Sequence, residues 1–259
     1  VIRRPGAAAA RVIRRPGAAA ARAIRRLLVA TRLVLRVQTR AHFPHAFAVS
    51  TGLTVAVLLW AVPHAIADLV LPAFLAIELG ALGLTQVAAH RYLEIGWQSA
   101  SALLVSPLRP AEYLLALLLG SALLATLAGG AVFAILRGLD ARFVWLLLVL
   151  FPFAVLSGTL GLLVSLRHSD FLRFILGVIP FVALWQAPLL GVYGLVPPGV
   201  VVWIPSAPAL FAIDVLCRSE AAPFQLLLLS SLGGVWTVLG FGLALHTYQR
   251  RIRMGRELA

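Results

Sequence analysis

Glu78 lies about ten residues from either end of a long apolar run. An ionisable side chain at that depth costs a few kcal/mol to insert and so turns toward the bundle interior. A carboxyl there can hold a cationic substrate or relay a proton. As structure alone it is protonated, or bonded to a neighbouring helix or a partner subunit. Gln86, two helical turns on, shares its side of the helix and is read as acting with it. Gln186 stands between Pro180 and Pro188, where ring nitrogens free backbone carbonyls, and a polar side chain beside loosened backbone suits the lining of a pathway. A second group is charged and lies outside the apolar runs: Arg91 and Glu94, three residues apart, then Arg109 and Glu112 beyond a proline-rich turn.

Other chemistries are excluded by type and spacing. All 22 basic residues are arginine. A Walker A loop needs its lysine, so any ATP is bound by another polypeptide. A single Cys217 forms no internal disulfide or cysteine cluster and reads as a packed thiol. The histidines are dispersed without metal-ligand spacing inside the apolar runs, so no haem or zinc site is expected. No GxSxG, HExxH or paired-aspartate helix face is present, and no catalytic residue is assigned.

The elements that carry these residues follow from composition. The chain is 61% hydrophobic and 12% charged, with a mean hydropathy of +0.99, far from the balance of a soluble domain. Runs of roughly 20 apolar residues suffice to cross a hydrocarbon core of about 30 Å as helices. Continuous rather than alternating runs favour helices over a barrel. Six spans are expected near Ala46–Ile66, Leu69–Ala89, Tyr113–Leu136, Phe143–Leu166, Leu172–Gly194 and Phe224–His246. With both termini on one side, 19 arginines outside the spans lie on that side and three on the other, which places both termini in the cytoplasm of a multi-pass cell-membrane protein.

Residues 1–22 are a tandem repeat, VIRRPGAAAAR twice, too short to bury a core and expected to be disordered. The only methionine is Met254, so Val1, Val12 or Val29 is read as the start codon and part of the repeat as dispensable. Residues 23–45 carry arginines at spacings of three and four with leucines between, as in an interfacial helix leading into the first span. The Arg-Arg pairs are not an export signal, since no short apolar region with a cleavage site follows. Leu195–Pro223 is too apolar for a solvated loop and too rich in proline for one helix. It must tuck against protein or lie at the interface, with Trp203 as an anchor there.

The stretch 90–112, HRYLEIGWQSASALLVSPLRPAE, reads as a loop with a short amphipathic element stopped by Pro107 and Pro110. Its run Ala102-Leu103-Leu104-Val105-Ser106-Pro107-Leu108, preceded by Glu94 and followed by Glu112-Tyr113-Leu114-Leu115, resembles the signature loop of ABC-2 type transporter permeases. Gln98-Ser99 stand where that family usually has Gly-Thr, Ser101 replaces its glutamate and a leucine near Leu117 its lysine. The resemblance implies six helices after an interfacial helix, re-entrant helices in 195–223, and a second permease subunit, identical or not. It implies a separate ABC ATPase that supplies ATP and Mg and docks on the loop through Arg91, Glu94, Pro107, Arg109 and Glu112. No nucleic acid is expected as a partner; membrane lipid is. The loop with Trp203-Ile204-Pro205 most resembles a bacterial drug-export group named for fluoroquinolones. The function implied is export of a drug-like or lipophilic substrate. Alternatives are an ABC-2 permease for haem or polysaccharide, or a six-span membrane enzyme acting on lipid, which needs polar groups converging at one depth.

Overall fold

Long runs of leucine, alanine and valine without charge satisfy their backbone groups only by folding as helices in an apolar medium. The structure, a computed structural model, describes residues 16–97, 108–218 and 223–253. Among them are α1 (Pro16–Arg40), α2 (Phe43–Trp60), α3 (His64–Gly96), α4 (Pro110–Arg137) and α5 (Ala141–Ser165). There follow α6 (Phe171–Gln186), α7 (Pro188–Val192), α8 (Pro198–Val201), α9 (Ala207–Arg218) and α10 (Pro223–Arg253). No strand occurs among the described residues. Six segments are long and apolar enough to cross a membrane: Phe43–Trp60, Ile66–Gly96, Pro110–Arg137, Ala141–Ser165, Phe171–Val192 and Phe224–Arg251. This is a multi-pass helical membrane protein.

The boundaries differ from the sequence expectation for local reasons. The first span stops at Trp60, short of Ile66, because Pro63 lacks an N–H and holds Val62 out of the helical region. The second begins at His64 and runs on through Gly96 instead of ending at Ala89. The stretch 90–112 is therefore not a loop throughout. His90–Gly96 is the last part of α3, and Pro110–Glu112 is the first turn of α4. Pro107 and the Ala102–Ser106 run lie outside the described residues. The N-terminal helix starts at Pro16, inside the repeat expected to be disordered. Proline is pre-organised for the first helical position, and the alanines after Gly17 are the strongest helix formers. Residues 1–15 lie outside the described part.

α3, α4 and α5 form the centre, with Leu75, Leu79, Phe133, Leu146, Leu150 and Phe153 fully buried among them. α1 and α2 pack on α4, α6 on α3, and α10 on α5. The α3–α5 seam is the tightest. A β-carbon at Gly158 would lie 2.9 Å from Val87 Cγ2, and one at Gly161 would run into the Leu84 carbonyl. Gly129 and Gly130 are likewise close-packed, as small residues at helix interfaces are expected to be. Gly233 and Gly234 differ from that expectation: a β-carbon added at either would meet nothing within 4 Å among the described residues.

The proline-broken apolar segment after α7 folds inward. Ala207, Leu210, Ala212, Ile213 and Leu216 of α9 are buried against α3, α5 and α10. Trp203, before it, is 78% exposed, as an interfacial anchor would be.

Candidate functional site

The bundle has two ends, which the side-chain contacts define. Arg91 reaches from α3 to the last turn of α5, donating from Nη1 to the Ser165 carbonyl at 2.8 Å. Tyr92 donates its hydroxyl to the same carbonyl at 3.3 Å and to that of His168 at 3.2 Å. Carbonyls at a helix C-terminus have no intrahelical donor and carry partial negative charge, so a guanidinium is a fitting cap. Tyr113 of α4 donates to Glu94, whose other oxygen lies 3.2 Å from His90 Nε2 one turn back. The Tyr113 ring also packs against Tyr248 of α10, with centroids 6.3 Å apart. Glu112 forms an ion pair of 2.8 Å with Arg26 of α1 and accepts from the Arg109 backbone N–H at 3.2 Å, the glutamate half of a capping box. At this end, then, α1, α3, α4 and α5 are tied by polar contacts and α10 joins them through a ring contact.

Of the expected coupling residues, Arg91 is 8% exposed and Glu94 and Glu112 are partly covered by their partners. Arg109 is exposed. The short connection that follows α5 is fixed by Asp170, which caps α6 by accepting from the Arg173 N–H at 2.8 Å. That hydrogen bond holds its carboxyl below the usual carboxylate range. The cap is complete at neutral pH and is lost as pH falls through the lowered value.

The opposite end carries Arg137, Arg142 and Arg218. Arg137 pairs with Asp68 and donates to the Cys217 carbonyl at 3.1 Å, while Arg218 pairs with Asp214. Asp140 caps α5, accepting from Phe143 N–H at 3.2 Å. Its carboxyl is held low by the side-chain hydrogen bond from Arg142. Burial pushes the Cys217 thiol up to about 12, which leaves it an inert packed group. Among the described residues no cluster of three His, Cys, Asp or Glu side chains is placed to hold a metal.

Between the ends, polar groups are few. Glu78 is 7% exposed and turns toward α2, where Thr51 Oγ1 donates to its Oε1 at 3.4 Å. Ser50 and Thr54 are its other hydroxyl neighbours, and Oε2 has no hydrogen-bond partner among the described residues. Gln186 sits on the other side of α3, donating from Nε2 to the Ala76 carbonyl at 3.2 Å. It packs on Gly80, where a β-carbon would come within 2.8 Å of that nitrogen. Residues 76 and 80 each lie about 200° round the helix from residue 78, so Glu78 and Gln186 do not meet. Gln86 is 3% exposed, with neither amide atom bonded among the described residues. Leaving such a group unpaired costs about 1–3 kcal/mol. Leu79 packs on Gly129 and Glu94 meets Tyr113, so α3 and α4 run antiparallel and Gln86 stands level with Ser121.

At that level lies a polar pair the sequence reading did not find. Gln38 of α1 is fully buried and donates to Ser121 Oγ at 3.0 Å. Its signal was available: Ala30, Val34 and Gln38 recur every four residues on the side of α1 away from most of its arginines. No family model, curated protein or solved structure matches this chain.

Proposed function

We propose that this chain is the membrane-spanning subunit of an ATP-driven exporter of the ABC-2 type, paired with a second permease subunit and with a separate ATPase. One observation carries the reading. The segment that resembles the family's docking loop leaves α3 just after Arg91 and Glu94 and enters α4 just before Glu112. Those three side chains bind α5, α4 and α1 respectively. A push on that segment is therefore delivered to four helices at once, which is what coupling to a remote ATP site requires. The connection at 166–170, joined through Tyr92 and Arg91, belongs to the same end.

On this reading that end is cytoplasmic, in accord with the arginine count. α1 packs along α4 from Glu112 to Ser121, so that only the arginines of its first turns stand at that end near lipid phosphates, and α8 and α9 are re-entrant. The uncovered apolar faces of α2 and α10, with Val49, Leu53, Val238 and Leu243 exposed, suit lipid and the second subunit. The lipid-enzyme reading receives no support, since Glu78 and Gln186 lie on opposite sides of α3.

Capture of the tagged chain from its own cells in mild detergent, with mass spectrometry of what accompanies it, tests the proposal. A stoichiometric soluble protein bearing a Walker A loop is expected. A preparation without one, repeated under crosslinking, would overturn it.

A further inference from the structure

A groove of about 420 Å³ runs between α2 and α4 beside Glu78, within the range of about 300–1,000 Å³ that holds a drug-sized molecule. Its α2 wall includes the small residues Ala48, Thr51 and Gly52 beside Phe47, and its α4 wall includes Leu124 and Leu127. A β-carbon at Gly52 would meet nothing within 4 Å, so the groove is open there. Val49 and Leu53, on the same helix, are exposed to the surrounding medium, so a molecule dissolved in lipid reaches the groove sideways.

We propose that this groove binds an amphiphilic organic cation, its apolar body between α2 and α4 and its charge opposite Glu78. The inference gives the transport reading above its substrate class. Thr51 both lines the groove and donates to Glu78 Oε1, so the carboxyl stands directly behind the wall beside the Ser50 and Thr54 hydroxyls, with no hydrogen bond to Oε2 within 3.5 Å among the described residues. α2 contains no arginine, and neither does α4 between Tyr113 and Arg137. No cationic side chain is among the described residues that line the groove. In a medium of low dielectric the carboxylate's attraction for a single positive charge is long-ranged, whereas an anion of the same shape is repelled. A bare divalent metal ion is a poor occupant, since one carboxylate and a few hydroxyls fall short of the six to eight oxygens calcium takes, and the remaining walls are apolar.

Equilibrium dialysis of the purified full chain with tetraphenylphosphonium, and in parallel with tetraphenylborate, tests the proposal. Saturable binding of one phosphonium per chain is expected, with no saturable binding of the borate. Glu78→Gln keeps the shape of the side chain and should weaken phosphonium binding about tenfold or more, as should Gly52→Leu, which fills the groove. Unfolding midpoints establish that both variants are folded, and either one alone suffices to decide. Wild-type affinity in a folded variant, equal binding of the borate, or no saturable binding by the wild type would overturn the assignment. The experiment needs no ATPase. A negative result therefore removes the substrate class and leaves the transport reading to the capture experiment.

Discussion

The arginine-rich end of the bundle and its middle handle polar groups in opposite ways. At the end, Arg91, Tyr92, Glu94, Tyr113, Arg26 and Glu112 all find partners on other helices. In the middle, Glu78 and Gln86 are buried more deeply than most of these, yet one carboxyl oxygen and both amide atoms make no hydrogen bond among the described residues. Side chains bonded from helix to helix fix the relative positions of those helices, whereas a buried carboxyl oxygen without a bond is costly to keep. On the proposed reading, the end transmits and the middle receives.

That contrast orders the effects expected of substitutions along the bundle. Arg91→Leu strips a helix C-terminus of its cap, and a hydrogen bond involving a charged group is worth about 1.5–3 kcal/mol. A loss of that order is expected, seen as a lowered unfolding midpoint in detergent. If Arg91→Leu is as stable as the wild type, the end is not a structural brace. Gln186→Leu removes one neutral hydrogen bond to the Ala76 carbonyl and should cost about 1 kcal/mol, the usual net value, measured in the same way. Glu78→Gln should leave the midpoint within about 0.5 kcal/mol of wild type or raise it, because a neutral amide is cheaper to bury than a carboxylate and can still accept from Thr51. A large destabilisation there would make Glu78 a structural residue and erase the contrast. The smallest effect concerns Cys217. A thiol buried to 2% exposure and pushed up to about 12 should take up no maleimide at neutral pH in the folded protein, read by mass spectrometry. Rapid labelling would show that α9 opens.

How much of this was legible in the sequence depended on the range of the cause. The six spans follow from continuous apolar runs, and their number and order needed nothing else. The burial of Glu78 and the inward folding of 195–223 likewise follow from a cost that lipid imposes locally. The extension of α3 through Arg91 and Glu94 was not visible. A charged stretch after an apolar run looks like a loop until its partners are known, and those partners, Ser165 and Tyr113, lie far along the chain. That Glu78 and Gln186 lie on opposite sides of α3 was hidden for the same reason: both are polar residues in spans, and only packing shows which sides they occupy. Gln38 was concealed by its neighbours, since an arginine-studded helix draws attention to its charged face and away from the side that packs on α4.

Site-specific photocrosslinking bears most directly on the claim that one end of the bundle receives force from a separate ATPase. A benzoylphenylalanine placed at Arg109, exposed at the mouth of α4, is expected to capture a soluble protein carrying a Walker A loop in intact cells. The same residue placed at Leu139, 77% exposed beyond the other end of that helix, is expected to capture none. Capture from Leu139 and not from Arg109 would contradict the account, and so would the absence of any such protein from both.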